Sequence, residues 1–235
     1  VIYYTTLNKS LLMIVDMKTN ESYGIKLWFN APETKQYFTE VFNNGYIMHP
    51  VSGGGSGISS FAHELVFKRT STPTATETIS KFIGTTIYGD GSSVSLTTNG
   101  YIRFTANHQS GTNTSITGST NLCDGKWHHI VAIYNNTTSG VKLYVDGTLI
   151  GTANGIGNIG YGDKFYIGAS SNNSGTISNY FNGYIYKFEV VDKNGIVCDI
   201  DFTNVNRFKV FDKSGNGNHA YIEEYANVSL QERLN

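Results

Sequence analysis

The sequence predicts an all-β protein, an antiparallel sandwich or barrel with a small N-terminal α+β appendage, on three observations. From Phe61 onward, short apolar runs are separated by clusters of Gly, Asn, Asp and Ser at roughly ten-residue spacing, with no helical period between them. The dipeptide Asp146-Gly147 stands between VKLYV and TLIGT, where a two-residue loop needs positive φ and selects a hairpin that matches strand twist. Charged residues are only 15% of the 235, against roughly 25% in an average soluble protein, so solubility rests on Asn, Ser, Thr and Gly.

Residues 1-52 form the expected appendage. VIYYTTL, LLMIVDM and YGIKLWF read as strands by their β-branched and aromatic content. NAPETKQYFTEVFNNG reads as a helix over about residues 31-44: Asn30 caps it, Pro32 sits in its first turn, Glu33 follows Asn30 by three as in a capping box, and Gly45 ends it. Tyr37 with Val41, and Phe38 with Phe42, are i,i+4 pairs that turn one apolar stripe toward a core. Residues 53-60, within SGGGSGISS, read as a linker or long loop, since glycine favours no single conformation. The sandwich is expected over 61-225 and a tail over 226-235.

Within that span the strands are FAHELVFKR, ISKFIGTTIY, SVSLTT, YIRFTAN, TSITGS, WHHIVAIY, VKLYV, TLIGT, KFYIGA, YIYKFEVV and IVCDIDF. Alternation in WHHIVAIY puts Trp127, His129, Val131 and Ile133 on one face and His128, Ile130, Ala132 and Tyr134 on the other. Neither face is properly polar, so both are expected to be covered, the second by the appendage, by the segment after Asp199 or by another chain. Trp127 is expected in the core, with Trp127→Ala costing about 3 to 5 kcal/mol.

The bulk numbers exclude several partners. A net charge of -1 and a pI of about 6.6 leave no basic field for phosphates, so no nucleic acid is expected. LLMIV at Leu11 to Val15 is too short for a membrane span or a signal peptide, so no membrane insertion is expected. The chain opens on Val1 rather than Met, as a processed chain or an excised fragment does. Two cysteines, Cys123 and Cys198, make no disulfide framework; they form one bridge or stay as two buried thiols. Neighbouring His128 and His129 point to opposite sides of a strand and do not share a metal ion.

The order DGKWHH, LYVDGTLIG, FYIGA and YFNGYIYKFEVVD resembles laminin G-like domains of the concanavalin A-like lectin/glucanase superfamily, in their bacterial or phage form, over about Phe61 to Asp192. The resemblance implies a jelly-roll sandwich of two antiparallel sheets. It also implies a calcium ion at a rim, with Asp90 in YGDGSS and Asp163 in GYGDK as the candidate carboxylates, although both read equally as turn aspartates. A second likeness, DIDF followed by FDKSGNGNHAYI, belongs at the opening of such a domain yet stands after its body here. Either terminal strands pair late or a further repeat begins at about Ile196.

The superfamily includes glycoside hydrolases, whose retaining members need two carboxyl groups roughly 5 Å apart. No Glu-x-Asp-x-Glu string occurs. Glu189 and Asp192 have odd spacing, and Asp199 with Asp201 reads as a polar strand end, so no enzyme is expected. Binding has more to offer. Sugars are held by aromatic faces joined to amides and carboxylates, and the chain has 16 Tyr residues. Tyr88, Asn172, Asn179 and Tyr180 lie in loops that can present that mixture at a sandwich rim, or simply build turns. The function expected is a non-catalytic recognition or attachment module, extracellular, on a bacterial cell surface or a phage virion, binding a cell-surface glycan. The alternative is a virion decoration or fibre component that packs against other virion or surface protein subunits.

Overall fold

The computed structural model describes residues 37–43, 47–50, 59–83, 91–108, 111–159, 164–172, 175–192, 195–206, 209–216, 219–222 and 228–233. They form antiparallel strands: β1 Tyr37–Asn43, β2 Ile47–Pro50, β3 Ser60–Lys68, β4 Glu77–Ile83, β5 Gly91–Leu96 and β6 Tyr101–Asn107. Next come β7 Asn113–Asn121, β8 Trp127–Asn135, β9 Val141–Val145, β10 Thr148–Ala153, β11 Lys164–Ile167 and β12 Ser170–Ser171. The last are β13 Ile177–Ser178, β14 Asn182–Asp192, β15 Gly195–Asn206, β16 Lys209–Asp212, β17 Ala220–Ile222 and β18 Val228–Arg233. The hydrogen-bonded order is β10-β9-β8-β3-β14-β15-β16-β17-β2-β11-β4-β5-β6-β7, with β1 between β14 and β18 and β12 paired to β13.

This path folds back on itself into two facing layers. Phe61 on β3 meets Phe82 on β4 at 6.1 Å and Phe104 on β6 at 6.4 Å between ring centroids, so the β3 layer and the β4-β6 layer share one core. The two-residue alternation decides which side chains enter it. On β3, Phe61, His63, Leu65 and Phe67 are buried; on β6, Ile102, Phe104 and Ala106; on β8, Ile130, Ala132 and Tyr134. The result is an antiparallel sandwich of the expected class.

At the centre of the core is a histidine. His63 is fully buried, with the rings of Phe61, Phe82, Phe104, Phe165 and Phe188 around it. Its Nε2 lies 2.8 Å from Ser92 Oγ and its Nδ1 3.3 Å from Ser80 Oγ. Two hydroxyls thus satisfy both ring nitrogens of a neutral imidazole, which a phenylalanine-lined site requires. Burial pushes its pKa down to about 3.

The hairpin at Asp146-Gly147 has the expected form. Val145 pairs with Thr148, and Asp146 and Gly147 have φ of 50° and 78°, the two positive values of a type I′ turn. A Cβ added at Gly147 meets nothing within 4 Å. Gly147→Val should therefore cost about 1 to 2 kcal/mol through backbone strain alone. A denaturation midpoint equal to wild type would contradict this.

Several expectations are corrected. The helix expected over 31-44 is replaced, across Tyr37–Asn43, by β1, which pairs with β14 on one edge and β18 on the other; residues 31–36 lie outside the described residues. YFTEVFN is rich in β-branched and aromatic residues, and two flanking strands satisfy its backbone in a way that local capping cannot match. With β2 paired to β11 and β17, Tyr37–Pro50 is part of the sandwich sheets, while residues 1–36, which hold the rest of the expected appendage, lie outside the described residues. The segment after Asp192 does not stand apart: β15 pairs with β14, β16 with β15, and β17 with β16 and β2, so the terminal strands pair late. Of the two alternatives left open for the cysteines, the second holds: Cys123 and Cys198 are separate buried thiols.

Trp127 is also corrected. It is half-buried on the outer side of β8, and His128, not Trp127, takes the inward position at that end of the strand. Of the two faces of β8, the one with Ile130 and Tyr134 is covered by the core. The other, with Trp127, His129, Val131 and Ile133, is only half-buried.

Candidate functional site

The outer face of β8, β3 and β14 gathers aromatic and charged side chains in rows set by strand register. Tyr184 on β14 pairs with Lys68 on β3, which pairs with Trp127 on β8. A bulge in β14 between Ile185 and Lys187 adds one residue to that row. Ile185 and Phe188 both point into the core, so Tyr186 and Lys187, between them, are both left half-buried on the outer side. An extra residue in a strand re-aims its side chains in this way. The bulge is thus the reason two tyrosines stand beside one tryptophan.

The three rings form a cluster with a cation in it. Trp127 meets Tyr184 at 6.4 Å and Tyr186 at 6.2 Å, each at an interplanar angle of 68°. Lys68 Nζ lies 5.1 Å from the Trp127 centroid and 4.6 Å from the Tyr184 centroid, within the range of a cation–π contact. Because Trp127 is only half-buried, Trp127→Ala should cost about 1 to 2 kcal/mol, far less than a core tryptophan. A loss above 3 kcal/mol in chemical denaturation would return Trp127 to the core.

Next to the aromatic cluster runs a charged row. Glu64 Oε1 accepts from Lys187 Nζ at 2.8 Å and lies 2.9 Å from His129 Nε2, while Lys187 Nζ is 3.3 Å from Glu189 Oε2. Burial alone would raise the Glu64 carboxyl, but the hydrogen bonds from Lys187 and His129 outweigh it and hold the group below the ordinary carboxylate range. Burial would likewise lower the Lys187 ammonium, yet Glu64 and Glu189 raise it. Across from Glu189, Asp199 on β15 is pushed up by burial and then by the Glu189 charge.

Beneath the tryptophan, His128 ties two turns together. Its Nδ1 lies 2.8 Å from Asp146 Oδ2 and its Nε2 3.0 Å from Asp124 Oδ1. Asp146 Oδ1 also accepts the His129 backbone N–H at 2.7 Å. Asp124 Oδ1 accepts the Lys126 N–H at 2.9 Å; this backbone bond first, and His128 second, hold the Asp124 carboxyl at about 2. The DGKWHH and LYVDG motifs are therefore one clamp that sets the start of β8, and with it the position of Trp127. His128 and His129 have separate carboxylate partners, and no group of three His, Cys, Asp or Glu among the described residues is placed to hold a metal.

The loop residues fall differently. Asn172, Asn179 and Tyr180 come together around the β12–β13 hairpin, Asn172 and Asn179 exposed and Tyr180 half-buried. Asn172 Oδ1 accepts the Thr176 N–H at 2.8 Å, and Asn179, at φ 53°, accepts the Thr78 N–H through its carbonyl at 2.8 Å. Both asparagines thus shape the turn. Tyr88, Asp90 and Asp163 lie outside the described residues. The cluster of Trp127, Tyr184, Tyr186 and Lys68 was not singled out by sequence, because its assembly depends on a bulge and on cross-strand register. No helix among the described residues is long and apolar enough to cross a membrane.

A laminin G family model, described as Concanavalin A-like lectin/glucanases superfamily, matches residues 56–194. The chain belongs to this family, and the sandwich is its fold. Among solved structures, a "putative carbohydrate binding protein" from Bacteroides ovatus ATCC 8483 is similar at 17% identity and a TM-score of 0.63, over 84% of this chain and 60% of that one. Mouse laminin alpha1 chain, domains LG4-5, is similar at 16% identity and a TM-score of 0.53, over 76% of this chain and 47% of that one. The heptameric SAP-like pentraxin of Limulus polyphemus is similar at 15% and 0.51, over 66% and 76%. The chain thus spans about three-fifths of the length of the Bacteroides ovatus protein. None of the curated proteins matches it.

Proposed function

We propose that this chain is a non-catalytic recognition module, working outside the cell on a bacterial surface or a phage virion, that binds a cell-surface glycan. The observation that carries the reading is the half-buried aromatic cluster of Trp127, Tyr184 and Tyr186 on the outer sheet face. Sugars present C–H faces to aromatic rings and hydroxyls to charged and amide groups, and the Glu64–Lys187–Glu189–His129 row supplies the second kind of contact next to the first. Strands on both sides fix the rings in place, so little order has to be gained on binding. The carbohydrate-binding description of the Bacteroides ovatus protein supports the reading. The rim residues Tyr88, Asn172, Asn179 and Tyr180 remain proposed contacts for sugars further along a chain.

A glycan array probed with wild type, Tyr186→Ala and Tyr180→Ala tests this. Loss of the hits with Tyr186→Ala places the site on the sheet face; loss with Tyr180→Ala alone moves it to the rim. An array without hits removes the glycan reading.

One observation favours a second reading, a structural subunit of a virion or fibre. Leu149, Ile150 and Ile156 are exposed at 47%, 39% and 54%, two of them on β10, at the end of the strand order. Exposed apolar side chains at a sheet edge suit packing against another subunit. Sedimentation of wild type beside Leu149→Lys distinguishes the two: self-association abolished by the substitution supports the subunit role, and a monomer at high concentration speaks for the recognition module.

A further inference from the structure

We infer that the sheet-face site takes an anionic sugar, one carrying a carboxylate or a sulfate, and that Lys68 is its charge contact; this rests on the glycan reading above. The cations around the aromatic cluster are otherwise committed. Arg69 donates from Nε and Nη2 to the two Glu77 oxygens at 3.2 and 3.0 Å. Lys126 pairs with Asp124 at 3.3 Å, and Lys187 with Glu64 and Glu189. No carboxylate among the described residues pairs with Lys68, whose ammonium rests on the faces of Trp127 and Tyr184. Ring faces attract a cation without neutralising it, and a partly desolvated ammonium makes its strongest hydrogen bonds to an anionic oxygen.

The face also has a polarity that sets where such a group lands. At the β15 side, Glu189 stands across from Asp199, whose carboxyl is raised by burial and by that neighbour, so an anion is repelled there. At the β8 side, Asp124 and Asp146 are bonded to His128, and the charge left without a carboxylate partner among the described residues is half-buried Lys68, on the faces of Trp127 and Tyr184. A sugar ring lying along Trp127 and Tyr186 with its acidic group toward Lys68 meets both demands. A neutral sugar's hydroxyl can accept from this ammonium but leaves its charge unneutralised, so the anionic group gains more.

The test uses the full chain on an array of neutral, uronic-acid and sulfated glycans, followed by titration of the best hits. Hits should be anionic, and whether they are uronates or sulfates tells which acidic group is read. Lys68→Met keeps the apolar stem across the rings and should weaken binding about ten-fold or more, the value of a charge-assisted hydrogen bond. Lys68→Arg should retain most of it, and raising salt should weaken wild type more than Lys68→Met. Neutral hits, or anionic hits indifferent to Lys68→Met while its melting curve matches wild type, overturn the inference and leave the glycan reading intact. An array with no hits overturns both.

Discussion

Phe82→Ala is expected to lower the unfolding free energy by about 3 to 5 kcal/mol, the cost of removing a large aromatic from a site that cannot close around the gap. Phe82 is 1% exposed and stacks on Phe165 with centroids 4.2 Å apart and planes 4° from parallel. It also touches Phe61 on the facing layer, so its loss opens the sandwich at the seam between the two sheets. Urea denaturation of Phe82→Ala and Trp127→Ala side by side is the check. The core variant should fall far below the surface variant, and equal losses would mean that the inner and outer faces of β8 have been exchanged.

The second large effect is acid lability through His63. In the unfolded chain this imidazole titrates near its usual value of about 6.5, whereas in the core burial holds it near 3. Between those values the unfolded state binds the extra proton, so stability rises with pH and is lost as pH falls from about 6.5 toward about 3. The slope from this one group is about 1 kcal/mol per pH unit. His108, lowered in the same direction by burial, adds to it; its Nε2 lies 2.9 Å from Thr114 Oγ1 and its Nδ1 3.1 Å from Tyr134 Oη. Denaturation midpoints between pH 6.5 and 4.5 should drop less steeply in His63→Gln than in wild type, even if the variant starts lower at pH 7. Parallel curves would show that His63 does not carry the acid response.

The parts of the fold legible in the sequence are those where local chemistry and tertiary demand agree. Asp146-Gly147 needs positive φ whatever surrounds it, and the period-two patterns of FAHELVFKR, YIRFTAN and VKLYV bury one face in any antiparallel sheet. The segment NAPETKQYFTEVFNNG shows the opposite case: its capping signals are local, while the pairing of β1 with β14 and β18 is supplied by strands far along the chain. Trp127 misled for a related reason. Both faces of WHHIVAIY are mostly apolar, so alternation alone does not say which of them takes the core. The His128 contacts with Asp124 and Asp146, which decide between them, appear only once the two turns lie side by side. The bulge that brings Tyr186 to the outer face leaves little trace beyond an irregular period in NGYIYKFEV.

The same limits explain the site. Asn172, Asn179 and Tyr180 are legible as loop residues because turn composition is local, and the two asparagines hold their own hairpin through Thr176 and Thr78. Trp127, Tyr184, Tyr186 and Lys68 come from three strands spread over more than half of the domain. Their proximity is a property of register, which apolar patterning sets only to the nearest face.

The most direct test of the central claim, that the outer face of β8, β3 and β14 is the recognition surface, is two-dimensional NMR of labelled protein titrated with the best glycan from the array. The account predicts that the indole N–H of Trp127 and the amides of Lys68, Tyr184 and Tyr186 shift together, while those of Ser170 to Tyr180 stay in place. Shifts confined to the Asn172–Tyr180 hairpin, with Trp127 unmoved at saturation, would contradict it.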